Sequence, residues 1–163
     1  VFKIEGRARG AEYVYNVVRC YKEAIQAVLD GDFTEEKKDE WDKRLATVFN
    51  RGFWDGYYQG QTLGEWNSNY GSNATEKKVY VGRGVKYFSK LGVAEFTCEA
   101  AEFSVGDKLL ITGPTTGVMY VDVDEIRYDL NPVQTAQKGQ HVSFRVPGKI
   151  RPSDKLFKIV VVE

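Results

Sequence analysis

Between Ala11 and Leu29 the apolar residues fall at Val14, Val17, Val18, Tyr21, Ile25, Val28 and Leu29. Steps of three and four place them on one stripe of a helix. The helix is expected to stop at Asp30-Gly31, with Gly31 taking the left-handed terminal position. Thr34 then reads as an N-cap, and Glu35 and Glu36 suit the positive end of a second helix. Trp41, Leu45, Val48 and Phe49 give that helix its apolar face, and most of Glu35 to Arg44 is solvated. Ahead of both helices, Phe2 to Glu5 reads as a buried strand running into a Gly6-Arg7 turn.

From Asn50 to Thr75 the period is lost. Arg51-Gly52-Phe53-Trp54-Asp55-Gly56-Tyr57-Tyr58 and Trp66-Asn67-Ser68-Asn69-Tyr70-Gly71 mix glycine, aromatics and turn formers. A connection of that length serves as a functional loop or an interdomain linker. After Lys77 the pattern changes to strands: Lys78 to Tyr87, Val93 to Glu99, Lys108 to Thr112, Val118 to Tyr128, His141 to Val146 and Lys155 to Val162. Turn formers separate them, among them Gly113-Pro114-Thr115-Thr116-Gly117 and Pro147-Gly148. Six short strands rich in Val, Ile and Tyr predict a small antiparallel β-barrel, closed or half-open. The class is therefore α+β. Residues 1–50 hold a strand and two helices, 51–76 an aromatic and Gly-rich linker, and 77–163 the barrel.

Composition narrows the partners more than the fold. The 163 residues carry 23 basic and 23 acidic side chains, so no global basic field announces a nucleic acid or a membrane. The longest apolar run, Ile159 to Val162, is far too short to span a bilayer. Cys20 and Cys98 lie in different elements, which argues against a disulfide and makes a reduced, cytoplasmic compartment the default. Asn73-Ala74-Thr75 fits a glycosylation sequon with nothing else pointing to secretion. The chain opens without methionine inside an apparent strand, so it is expected to be part of something larger.

Candidate chemistry is sparse. His141 is the only histidine, which rules out a three-histidine metal site within the chain and reads as a surface strand residue. Asp122 and Asp124 alternate with Val121 and Val123, most simply as a polar face opposite a valine core. The Gly113 to Gly117 segment lacks the lysine of a phosphate-binding loop and reads as a hairpin turn. No metal site is expected. Arg83, Lys86 and Tyr87 offer phosphate contacts and stacking, or else a strand with Val85 and Tyr87 inward and lysines keeping an edge soluble. Trp54, Tyr57 and Trp66, with Tyr58 and Tyr70, form a candidate substrate-binding surface or anchor the linker.

Phe2-Lys3-Ile4-Glu5-Gly6-Arg7, then Ala11-Glu12-Tyr13-Val14 and Val17-Val18-Arg19-Cys20-Tyr21, resemble the collagenase-like peptidase U32 family. Phe49-Asn50-Arg51-Gly52-Phe53 is similar to a second motif of that family, and Lys78-Val79-Tyr80-Val81-Gly82 to the start of its C-terminal domain. The resemblance implies that residues 1–50 are the remnant of a TIM-like catalytic barrel, with Phe2 to Glu5 its last strand. It places Glu5 and Arg7 at the rim where such barrels do their chemistry, as candidate catalytic residues. An iron–sulfur cluster or metal would belong to the missing N-terminal part, and no cofactor is expected here.

A second likeness is to the second-domain barrel of elongation factor Tu. It rests on Val105 to Leu109, Val121 to Ile126, Ala136 to Gln140 and Ile150 to Asp154. The first expectation is thus a lid or substrate-binding region of a U32 peptidase, with proteolysis carried elsewhere. The alternative is an RNA-binding barrel of a U32-like protein needed for tRNA or rRNA hydroxylation. Expected partners are a peptide or structured RNA, the protein's own TIM-like domain, and a second copy through the first helix. In the isolated chain the first residues are expected to fray or pair abnormally, with Lys78 to Val162 well ordered.

Overall fold

A computed structural model of the protein describes residues 2–53 and 71–162. They fall into two compact units, Val1–Glu76 with Val162–Glu163, and Lys77–Val161.

In the first unit, α1 (Ala11–Leu29) and α2 (Glu35–Ala46) form a helical hairpin where the apolar period predicts them. α1 ends in a Schellman motif. Gly31, at φ +71°, donates to Val28 O, and Asp32 N donates to Ala27 O. Thr34 caps α2 by accepting from Lys37 N, and Lys43 and Arg44 sit at its negative end. The hairpin closes over Cys20, Ala27 and Trp41, flanked by Ala24 and Leu45. Beside this core the Glu23 carboxylate takes an ion pair from Arg44 and a 3.2 Å hydrogen bond from Trp41 Nε1. The Arg44 hydrogen bond is the main reason the Glu23 carboxyl lies below its ordinary range.

Only Val17, Cys20 and Ala27 of α1 are buried. Val14, Val18, Tyr21, Ile25, Val28 and Leu29 remain exposed along the helix. The strand expected over Phe2 to Glu5 does not form. No ladder partner meets it among the described residues, and Phe2, 63% exposed, sets its ring 5.3 Å from that of Tyr21.

The second unit is built on one eight-stranded antiparallel sheet, joined by a two-stranded ribbon. The strands are β1 (Glu76–Phe88), β2 (Val93–Cys98), β3 (Phe103–Ser104), β4 (Lys108–Gly113) and β5 (Gly117–Asp122). They continue with β6 (Ile126–Tyr128), β7 (Asn131–Val133), β8 (Thr135–Ala136), β9 (His141–Arg145) and β10 (Lys155–Val161). The sheet order is β5-β4-β10-β1-β2-β9-β6-β7, and β3 pairs with β8. One face supplies a continuous core that includes Val81, Phe96, Leu109, Ile126, Val142 and Leu156. Within it Phe144 stacks on Phe96 at 4.9 Å and meets Phe103 edge-on at 5.6 Å.

This corrects the six-stranded barrel. β5 and β7 end the sheet without pairing to each other, so it does not close, and the likeness to the second domain of elongation factor Tu gains no support. The strand expected from Val118 to Tyr128 is broken in two. Gly106 N donates to Val123 O and Val123 N to Asp107 O, which pulls the middle of that segment toward the β3–β4 turn. Pro132 in β7 has no N–H to offer, as suits an edge.

Asp154, only 3% exposed, ties three distant segments together. Its Oδ2 accepts from Thr116 Oγ1 at 2.5 Å and from Arg151 N at 2.8 Å, and its backbone O accepts from Gly84 N at 2.7 Å. A Cβ on Gly113 would stand 1.8 Å from Asp154 Oδ1, so only glycine fits there.

Asp154→Ala strands the Thr116 hydroxyl and the Arg151 N–H, and should cost about 3 kcal/mol in urea unfolding. Gly113→Ala should be comparably damaging, whereas Gly92→Ala, in open space, should show only the smaller strain of its positive φ. Acid supplies a second check. Because the native carboxyl of Glu23 titrates below its unfolded value, its stabilisation is present above about pH 4.5 and lost as pH falls through the native value. The helicity difference between the protein and Glu23→Gln, followed by circular dichroism, should therefore shrink from pH 5 to pH 2.

Candidate functional site

β2, β9 and β6 lie side by side, and their register builds a patterned outer face. Glu95 faces Ser143, and Ser143 faces Arg127, making one row across three strands. One step along, Val93 faces Arg145, and on the other side Thr97 faces His141. Because side chains alternate, this set stands opposite the buried Ala94, Phe96, Val142 and Phe144. The β1–β2 turn carries Leu91 and the β6–β7 turn carries Leu130, and both line the same groove, of about 580 Å³.

The groove's electrostatics are mixed. His141 Nδ1 lies 3.7 Å from Glu95 Oε1 and 3.5 Å from Thr97 Oγ1. Arg127 is engaged by Glu125. Arg145 and Asp129 line the groove with no ion-pair partner among the described residues. Ser143 shares a strand face with His141, but no hydrogen bond joins them, so the pair is not set up as nucleophile and base.

The residues singled out from sequence divide. Glu5 and Arg7 share an exposed turn ahead of α1, where Glu5 Oε1 accepts from Arg7 N at 2.9 Å. Arg83 is held by Glu99 at 2.9 Å, and Glu99 also accepts from Tyr80 OH at 2.6 Å. That hydrogen bond is the main cause of the raised Tyr80 phenol pKa. Lys86 extends the Glu95 row onto β1, with its ammonium 5.1 Å from the ring of Phe88, a groove residue. Tyr87 packs against the core, while Val85 is exposed where the β1–β2 register shifts between Gly84 and Lys86. Trp54, Tyr57 and Trp66, like Tyr58 and Tyr70, lie outside the described residues.

Asp122 and Asp124 are exposed and Val121 and Val123 buried, as the alternation predicts. Among the described residues no group of three or more His, Cys, Asp and Glu comes together to hold a metal. Cys20 and Cys98 are free, buried and in separate units, a donor set that does not fit an iron–sulfur cluster. Among the described residues no helix is long and apolar enough to cross a membrane. Sequence reasoning passed over Leu91, Glu95, Arg127, Leu130 and Arg145. The available signal was alternation through His141, Ser143 and Arg145, which exposes three polar residues on one strand face.

Residues 1–68 match the family model of peptidase family U32. A collagenase of Porphyromonas gingivalis is 63% identical over 97% of this chain. The chain belongs to the U32 family. An uncharacterized protease of Methanocaldococcus jannaschii is 33% identical over 96% of the chain. This U32 chain spans 38% of the collagenase's length and 39% of the archaeal protein's. A solved C-terminal domain of a U32 peptidase from Geobacillus thermoleovorans is also similar, at 22% identity and a TM-score of 0.46. That match covers 48% of this chain and 90% of the solved one.

The thiols of this U32 chain should be inert when folded. Burial pushes Cys98 up to about 11 and also raises Cys20. At pH 8 only about one Cys98 in a thousand is then thiolate. Ellman's reagent should react with both cysteines at least about tenfold more slowly before unfolding than after it. Fast native reaction of either would contradict the burial described.

Proposed function

We propose that this chain is the C-terminal region of a collagenase-like U32 peptidase, in which residues 77–161 hold polypeptide substrate for a catalytic domain lying outside it. The observation that carries this reading is the 63% identity to a collagenase, sustained across nearly the whole chain. In this reading Glu5 and Arg7 stand at the rim of that catalytic domain. Their mutual hydrogen bond fixes the turn that presents them. The exposed α1 face of Val14, Val18, Tyr21 and Ile25 packs against the same domain, which removes from water an apolar stripe that α2 leaves open. A second copy through α1 is the competing use of that stripe in the isolated chain.

The groove suits the substrate-holding part of this proposal. It combines apolar rims with a few separated charges, the usual character of a site for a flexible polar ligand. The Glu95–His141 pair and Arg145 orient a chain rather than cleave it.

The test uses the full-length protein, with and without residues 77–161, on gelatin and on a short chromogenic peptide. Removing the segment should lower kcat/KM on gelatin by about tenfold or more through KM, with the short peptide little affected. Equal losses on both substrates, with helicity retained, would reject a substrate-holding role.

A further inference from the structure

We propose that the groove over β9 is a subsite for an extended polypeptide segment of about four residues, with an apolar side chain set against Leu130 at the His141 end and an acidic group received by Arg145 at the Leu91 end. The length follows from the floor. Four residue steps separate His141 from Arg145, about 13 Å at strand rise, and alternate side chains along that line face the groove.

The rim is held in a conformation that the backbone disfavours. Asp129 and Leu130 have φ of +47° and +66° and form the two-residue turn between Tyr128 and Asn131. Glycine or asparagine is the comfortable residue at such positions, and a leucine there is strained. That strained leucine is also 86% exposed, so packing gives no return for it. Leu91, in the turn at the Arg145 end, is 68% exposed. Two projecting leucines, one at each end of the groove, fit a partner that supplies apolar contact to each.

Charge decides the class of partner. Among the lining residues Glu95, Glu125 and Asp129 contribute three carboxylates, against the guanidinium groups of Arg127 and Arg145. Such a groove offers no basic surplus to a nucleic-acid backbone and accommodates a mixed-charge peptide. Arg127 is already engaged by Glu125, whereas Arg145 has no ion-pair partner among the described residues and is free to bind a carboxylate. Glu95 with His141 marks the opposite, acidic end.

The subsite rests on the reading that residues 77–161 hold polypeptide, and its test is independent of peptidase activity. The isotopically labelled 163-residue chain would be titrated with acetylated, amidated tetrapeptides Ala-Leu-Ala-Glu and Ala-Leu-Ala-Lys, and with an octauridylate. The glutamate peptide should shift the amides of Val93, Glu95, Ser143 and Arg145, and bind about threefold or more tighter than the lysine peptide. Arg145→Gln should erase that preference. Leu130→Gly should weaken binding by about threefold or more while leaving the melting temperature unchanged or raised, because glycine accepts the positive φ. Shifts confined to other surfaces, no shifts at millimolar peptide, equal binding of both peptides, or stronger shifts of the same amides by octauridylate would each overturn the subsite. Peptide docking here, with gelatin turnover unaffected by loss of residues 77–161, would instead sink the peptidase reading and leave the subsite standing.

Discussion

The buried carboxylate of Asp154 is the constraint on which the strand unit depends. A carboxyl group removed from water is tolerated only if fixed hydrogen-bond partners surround it. Here the donors come from places far apart in sequence: the Thr116 hydroxyl in the β4–β5 turn and the Arg151 amide just before β10. The backbone carbonyl of the same residue accepts from Gly84 in the middle of β1. Moving any one of these segments would leave a hydroxyl, a carboxyl oxygen or an amide without its hydrogen bond. β10 therefore enters between β4 and β1 in a single register, and the missing side chain at Gly113 makes room for the carboxylate.

Register set at β1 propagates to the groove. β1 carries an irregularity between Gly84 and Lys86, beside the point where Asp154 grips it, and then pairs Lys86 with Glu95. From Glu95 the row continues through Ser143 to Arg127. A one-residue slip at any of these interfaces would turn the polar row inward and Phe96 and Phe144 outward. The core that stabilises the sheet and the surface that binds are thus two readings of one alternation. Losing the Asp154 contacts would loosen the groove as well as the fold.

Much of this was legible in the sequence wherever a period extended over many residues. α1 follows from its apolar steps, and its end from Gly31 with the two backbone bonds of the Schellman motif. The longer strands were found within a residue or two because they alternate. The short strands β3, β7 and β8 have two or three residues each and no period to detect. The break at Val123 is set by hydrogen bonds to Gly106 and Asp107, partners no local pattern reveals. The opening strand failed for a related reason. Phe2 to Glu5 has the composition of a strand, but pairing needs a neighbour, and among the described residues the neighbour is the ring of Tyr21. As for the site, Arg83 and Tyr87 attracted notice by residue type, yet Glu99 occupies the first and the core takes the second. Leu130 gave no sign, because its significance is a backbone angle together with exposure.

A net charge of zero first argued only against a polyanionic partner, but its local distribution says more. Within the groove Arg127 and Glu125 answer each other at short range, and Glu95 lies beside His141. Arg145 and Asp129 are left over, and so are two exposed leucines, of which Leu130 holds a positive φ that favours glycine. Strain at Leu130 costs stability on the order of 1 kcal/mol, and a side chain so exposed packs too little to offset it. The leucines at the two ends and the guanidinium of Arg145 on the floor describe the proposed segment by its complement: apolar where it meets them, acidic at one end, and extended.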